Sequence, residues 1–228
     1  MSFLKKIYYE KYTKKSYSIS NVDLIIDRIF ANKVNGIYLD IGCNHPIKYN
    51  NTYLLYKRGW SGINIDLDKK SIEEFKKFRP NDYNVEALIS ENKDENKDVY
   101  FYHDRSAINT VNKQLAIGRN KKYQKIIKKT ATTINNVIEN SPFNDSKIDL
   151  ITIDIESHEY EALRNFNFEK YKPDIIVTEC HDITQKELEV YTQSIEFILE
   201  TKLYKLLTSH KYKLINWVNS DLIFSRNN

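Results

Sequence analysis

The sequence predicts an α/β domain built on a mostly parallel sheet and closed by an antiparallel hairpin, and three observations predict it. Short β-forming runs alternate with helical patterns from about residue 21 onward. Residues 36–66 read as strand, glycine turn, helix and second strand, with the acid Asp66 at its end. The last two β-forming runs, residues 211–217 and 222–225, are separated by Asn219, Ser220 and Asp221, which suits a tight reversal.

A chain of 228 residues and 27.1 kDa accommodates one such domain, assigned here to residues 21–228, preceded by a basic, amphipathic extension over residues 1–20. With 41% hydrophobic and 29% charged residues, five glycines and four prolines, the composition excludes disordered and fibrous classes. The net charge of +4 is carried before residue 16, where Lys5, Lys6, Lys11, Lys14 and Lys15 face only Glu10. Such a start suits a solvated helix face, with peripheral contact to an anionic membrane as the alternative. No apolar stretch reaches the roughly 20 residues that span a bilayer, and the N-terminus lacks a signal-peptide core, so a soluble, cytoplasmic protein is expected. Cys43 and Cys180 form no CxxC pair and are expected to be free thiols.

Taken in order, residues 21–33 carry Val22, Ile25, Ile26, Ile29 and Phe30 on one helical face, with Ser20 or Asn21 as cap. Residues 36–40 form the first strand, and Gly42 supplies the turn at its end. The next helix starts near Thr52, its expected N-cap, turns Tyr53, Leu54, Leu55 and Tyr56 inward, and stops at Gly59. Residues 63–65 form the second strand, residues 71–78 a helix ended by Pro80, and residues 83–89 a third strand that delivers Ala87 and Leu88 to its tip. Residues 99–102 suggest an accessory strand. Residues 103–129 show no periodicity; being long and polar between core elements, they are the expected cover of an active site. Residues 133–140 form a short helix. Residues 148–153 form the fourth strand, residues 160–165 a helix, residues 173–178 the fifth strand and residues 184–209 a long amphipathic helix.

The chemistry gathers at strand ends, where open α/β sheets bind ligands. Asp66 follows Gly42 by the spacing at which a carboxylate reaches the hydroxyls of a ribose. The three-glycine fingerprint of pyrophosphate binders is absent, and about ten residues including Pro46 separate Gly42 from the helix, so a nucleoside cofactor without phosphates fits better. S-adenosylmethionine is the candidate. Asp40, Gly42 and Asn44 are then placed near its methionine part, Asp66 on the ribose, and Ala87 and Leu88 beside adenine. Across the sheet, Asp154, Glu156, His158 and Glu159 crowd the fourth strand's end, and Glu179, His181 and Asp182 the fifth's. Oxygen and nitrogen ligands on adjacent tips could hold a divalent metal ion through Asp154, Glu179 and His181; hydrogen-bonded structural acids are the equal alternative.

These residues resemble the FkbM-type S-adenosylmethionine-dependent methyltransferases over most of residues 36–182. The resemblance rests on the Asp40-Ile41-Gly42-Cys43-Asn44 turn, on Asp66, and on the signature Asp154-Ile155-Glu156-Ser157-His158-Glu159, with Thr130 to Thr133 before the fourth strand. It implies the class I Rossmann-like fold, with a seven-stranded sheet and helices on both faces. Two departures stand out: Ser157 replaces the family's usual glycine, and His45-Pro46 replaces a second glycine in the turn.

The resemblance implies O-methylation of a hydroxyl on a surface-glycan sugar or a secondary metabolite, hence a place in polysaccharide biosynthesis. His158 is the first candidate for general base, since its ordinary pKa lies near neutrality, and His181 the second. Asp154 joins them as a catalytic and cofactor-side residue, and His45, Glu156 and Glu179 are expected on the acceptor side. Two rival readings are a metal-dependent hydrolase using the same tips and a non-catalytic nucleoside-binding module. Nucleic acid is not an expected partner, because no recognition motif is present and the charge after residue 15 is balanced.

Overall fold

The computed structural model describes residues 13–180 and 194–227. In its first half, α1 (Val22–Ile29), β1 (Ile37–Ile41), α2 (Tyr53–Lys57), β2 (Ser61–Asp66), α3 (Lys69–Phe78) and β3 (Tyr83–Glu86) alternate. An inserted region follows, with β4 (Leu88–Ile89), β5 (Asn96–Phe101), α4 (Lys113–Gly118), β6 (Lys125–Thr132) and α5 (Ile134–Glu139). The chain then returns through β7 (Leu150–Ile153), α6 (Glu159–Leu163), α7 (Phe168–Tyr171) and β8 (Ile175–Glu179). It closes with α8 (Ile195–Glu200), α9 (Lys202–Ser209), β9 (Tyr212–Val218) and β10 (Asp221–Arg226).

The main sheet has seven strands in the order β3-β2-β1-β7-β8-β10-β9, its first five mutually parallel and β10 antiparallel to both β8 and β9. This is the predicted fold. β1 lies at the switch point, paired with β2 on one side and β7 on the other, so the crevice between their carboxyl ends is where a ligand fits. The central strands are apolar on both sides and buried on both. Leu39, Ile41, Ile151, Ile153 and Ile176 pack with α5, α6 and α9, while Tyr38, Leu150, Ile175 and Val177 pack against Val22 and Ile26 of α1 and Leu55 of α2.

Several boundaries differ from the sequence expectation. The third strand ends at Glu86, and Leu88–Ile89 leaves the main sheet to pair with β6 in a second, three-stranded sheet, β4-β6-β5. The accessory strand near residue 99 and part of the unreadable 103–129 stretch are thus partners in one small sheet. Thr52 occupies the N-cap position of α2, but its hydroxyl donates to Asp40 and the capping oxygen is Asn50 Oδ1, which accepts from the Thr52 and Tyr53 N–H groups at 2.9 and 2.8 Å. Only Leu55 of that helix is buried. Asn21 sits at the N-cap of α1 with a left-handed backbone and no side-chain cap bond; the buried Asp23 carboxylate instead accepts from Ser16, the Tyr17 N–H and Ser18. The long helix expected over residues 184–209 is two helices, α8 and α9, parted at Thr201, and its first part lies outside the described residues.

Arg79, just past α3, is fully buried and ties the first half together. Its guanidinium donates to Pro46 O (2.9 Å), Thr52 Oγ1 (2.7 Å) and Asn50 Oδ1 (2.6 Å), among the rings of Tyr38, Tyr53, Tyr56 and Phe75. Burial pushes the Asp40 and Asp82 carboxyls up, and the nearby Arg79 charge opposes that in both. Removing the cation leaves buried acceptors unpaired, so Arg79→Met is expected to cost about 3 to 5 kcal/mol in urea denaturation. Arg79→Lys should recover part of that loss, and a Met variant of unchanged midpoint would contradict the role.

Candidate active site

The first strand ends in a turn that only glycine can make here. Gly42 has φ +79°, and a Cβ on it would lie 1.8 Å from the Asp154 carbonyl oxygen. The tips of β1 and β7 therefore touch through bare backbone. The Gly42 and Cys43 N–H groups donate to Ile65 O at 2.8 and 3.1 Å, which draws in the end of β2 as well. Asn44, also left-handed at φ 50°, donates its N–H to Asp66 Oδ2 at 2.9 Å, while the Asp68 N–H reaches Asp66 Oδ1 at 2.7 Å. Burial nevertheless raises the Asp66 pKa to about 6, these two N–H bonds opposing it.

A cleft with about 580 Å³ of empty space, open in part to solvent, lies between these tips, with Gly42, Asn44, Asp66, Leu67, Ala87 and Leu88 on one side and Asp154, Glu156 and His158 on the other. Ser106, Ala107, Asn109, Thr110 and Val111, from the stretch without periodicity, form the remaining wall. Single polar contacts hold that wall in place. Arg105 N–H donates to Asp68 Oδ2 (2.7 Å), Thr110 Oγ1 to Glu156 O (2.8 Å) and Asn112 Nδ2 to Ser157 O (3.2 Å), and Arg119 pairs with the Glu156 carboxylate. No hydrophobic repeat announces such contacts, which is why these wall residues escaped sequence reasoning.

At the end of β7, Glu156 and Ser157 are both left-handed, with φ 58° and 66°. The second is the position where the resemblance expects glycine, and the backbone conformation supplies the reason. The Ser157 hydroxyl is buried without a hydrogen-bond partner. Beyond it lies a group of carboxyls. Burial raises Glu159 to about 8, its bond from the Ile155 N–H opposing, and raises Glu156 to about 7 with the Asp154 charge adding to the effect and Arg119 opposing it. Burial likewise lifts Asp221 to about 7 and Glu179 well above the carboxylate range, the latter in hydrogen-bond contact with Asp154.

His158 is buried beside this group at the N-terminus of α6. Its Nε2 lies 3.0 Å from Ser90 Oγ, and the Ser90 hydroxyl donates to Glu91 Oε2 at 2.7 Å. A serine proton committed to Glu91 leaves Nε2 as the donor, so the neutral ring keeps its lone pair on Nδ1, 3.7 Å from Glu161 Oε2. Burial lowers the His158 pKa, and the Glu161 charge opposes the shift.

Of the residues singled out from sequence, Gly42, Asn44, Asp66, Ala87, Leu88, Asp154, Glu156 and His158 line one cavity. Asp40 does not line it: its carboxylate accepts from Asn50 Nδ2 (3.0 Å) and Thr52 Oγ1 (2.7 Å), behind the turn and two residues before Gly42. His45 does not line it either; Nδ1 accepts the N–H groups of Ile47 and Lys48, stapling the loop, and Nε2 lies 3.8 Å from Glu74. Glu179 sits behind the lining residues, within reach of Asp154 and Glu156: one oxygen from each of the three lies within 4.8 Å of the others. That set contains Glu156 where the sequence suggested His181, which lies outside the described residues with Asp182.

A model of the methyltransferase FkbM domain matches residues 40–213. The chain belongs to the FkbM methyltransferase family. It is therefore an S-adenosylmethionine-dependent methyltransferase. No curated protein matches it significantly. Similar solved structures include a TehB-like SAM-dependent methyltransferase from Corynebacterium glutamicum, 14% identical over 92% of this chain and 89% of the other, with a TM-score of 0.45. Another is a putative type 11 methyltransferase from Sulfolobus solfataricus, 10% identical over 92% and 95% of the two chains, with a TM-score of 0.43.

The raised carboxyls of this FkbM methyltransferase make its stability depend on pH. Asp66, Glu156, Asp221 and Glu159, at about 6, 7, 7 and 8, all lie above the value of about 4 they have unfolded. From about pH 6.5 to 8.5 the folded chain holds protons that the unfolded chain has released, so stability is highest at the acid end and falls as pH rises. His45 and His158, lowered on folding, act the other way only below about pH 6.5. Thermal midpoints of the cofactor-free protein should fall across that window; a flat or rising series would refute the carboxyl assignments.

Proposed function

We propose that this methyltransferase transfers the methyl group to a hydroxyl oxygen, on a sugar of a surface-glycan precursor or on a secondary metabolite. In this reading residues 21–228 form the catalytic domain and the enzyme works in the cytoplasm. The observation that carries it is His158, an imidazole in the cavity wall whose pKa burial lowers and whose Nε2 is held by Ser90. S-adenosylmethionine, when bound, supplies an electrophilic methyl group on its sulfonium.

The residues present suit that cofactor. The bare turn at Gly42 admits close approach, Asp66 offers a carboxylate to two ribose hydroxyls, and Leu67, Ala87 and Leu88 offer an apolar surface to the base. Asp154 and Glu156, on the opposite wall, are placed to accept hydrogen bonds from a polyhydroxyl acceptor. With the cofactor bound, His158 Nδ1 would take the proton of the acceptor hydroxyl while the new oxygen–carbon bond replaced the carbon–sulfur bond, whose electron pair would stay on sulfur, and Glu161 would stabilise the imidazolium. Ser90 fixes the tautomer. Most of the rate enhancement comes from holding the reactants at attack distance. A divalent ion assisting this step would fall to Asp154, Glu156 and Glu179, an all-oxygen set that suits a hard cation.

Two variants separate binding from turnover. Asp66→Asn is expected to weaken S-adenosylmethionine affinity by about 10- to 100-fold in calorimetry, roughly 1.4 to 2.7 kcal/mol. His158→Ala should lower kcat by about 10² to 10⁴-fold with cofactor affinity little changed. Unchanged affinity in the first variant would overturn the ribose assignment, and unchanged kcat in the second the base. Wild-type affinity should also weaken below about pH 6 as Asp66 takes up its proton, and Asp66→Asn should abolish that dependence. Turnover that survives chelation with EDTA would exclude the divalent ion.

A further inference from the structure

At the opposite edge of the main sheet, where β7 and β8 begin and β10 ends, a second hollow opens to solvent with about 1720 Å³ of empty space. Its charge is one-sided: Lys147, Lys170, Lys172, Lys211 and Arg226 line it. Of the two carboxylates there, Asp174 is committed to Lys147 at 2.6 Å, which leaves Asp145 against the other four cations. Lys170 and Arg226 have distant partners, Glu139 at 4.0 Å and Glu169 at 3.8 Å. Lys172 and Lys211 form no ion pair among the described residues. Each follows a helix, α7 and α9 respectively, with a left-handed backbone of φ 44° and 67°, where glycine or asparagine is ordinarily found. A lysine after a helix complements the helix dipole. That does not explain why two strained lysines from separate helices converge on one hollow. Beneath it lies Tyr171, 1% exposed, its hydroxyl buried and in contact with the Lys170 ammonium, which that contact helps to keep charged.

We propose that this hollow binds the phosphoryl group of a soluble phosphorylated small molecule, with Lys172 and Lys211 as its charge-bearing contacts. Ammonium groups supply point charges to a phosphate dianion. The concave shape favours a small soluble ligand over a flat lipid surface, although the headgroup chemistry is shared. Five residues of strand, at about 3.3 Å each, separate Asp149 from Asp154, so the hollow lies on the order of 16 Å from the cofactor cavity and is a site apart from it.

Calorimetry on the full-length protein with inorganic pyrophosphate at low salt tests this. Wild type should bind saturably at one site, the double variant Lys172→Gly with Lys211→Gly should bind at least about tenfold more weakly, and Lys172→Glu with Lys211→Glu should not bind. Glycine suits both left-handed positions, so the first pair keeps the fold, and S-adenosylmethionine affinity should be unchanged in it. Absent or unsaturable binding, or equal binding by wild type and the glycine pair, would overturn the proposal. Phosphatidylglycerol vesicles, with phosphatidylcholine as control, form a second arm. Sedimentation with anionic vesicles that the variants lose, without pyrophosphate binding, would replace the small ligand by a membrane and equally overturn it.

Discussion

Gly42 and the Asp154 carbonyl occupy space that no side chain can share, and the site depends on that contact. A Cβ at Gly42 would push β1 and β7 apart at their tips, and with them the cavity walls, because one wall continues from Gly42 to Asn44 and the other from Asp154 to His158. The Gly42 and Cys43 N–H groups extend the constraint to β2 through Ile65 O, and Asp66 follows directly. Three strand ends are thus held by backbone alone. What keeps the following loop over them is Arg79, which binds Pro46 O, Asn50 and Thr52 from behind.

The Arg79 node explains a division of labour among acids that look alike in sequence. Asp40 stands one residue before the end of β1 and Asp66 at the end of β2, both in apolar strands of one sheet. Asp40 faces the Arg79 side, where it orders Asn50 and Thr52, while Asp66 faces the cavity, where its two oxygens accept only main-chain N–H groups. Position along the strand separates them: Asp40 pairs with Asn64, two residues before the tip at which Asp66 meets the turn, so one carboxylate builds the loop and the other stands open to a ligand. His45 belongs with the first kind: its ring closes the loop on itself through Nδ1.

The main sheet was legible because its strands are long apolar runs separated by helices with clear faces, as in residues 148–153 and 173–178. Its carboxyl-end chemistry was legible because Asp66, Asp154, Glu156 and His158 stand immediately after those runs. The cavity's third wall was not. Residues 102–119 are held by Arg105, Thr110, Asn112 and Arg119, each bonded to a partner 31 to 46 residues away, and such contacts have no period. The break in the third strand was hidden as well. The 83–89 run reads as one strand, yet its two ends serve different sheets across Ala87, a break that composition does not mark.

Asp154, Glu156, Glu159, Glu179 and Asp221 share the tips of β7 and β8 and the start of β10, with Arg119 as the cation bound to Glu156. Burial and mutual repulsion raise Glu156 and Asp221 to about 7 and Glu159 to about 8, so the group is partly protonated near neutrality. A cation placed beside it stabilises the ionised forms and draws protons out. Under the proposed reading that cation is the sulfonium, which loses its charge when the methyl group leaves. The carboxyls would then favour the charged cofactor over its neutral product, and reprotonation of the group would accompany the loss of that preference. On that reading, the crowding that costs stability in the cofactor-free enzyme would help to distinguish reactant from product by charge, where their shapes differ by a single methyl group.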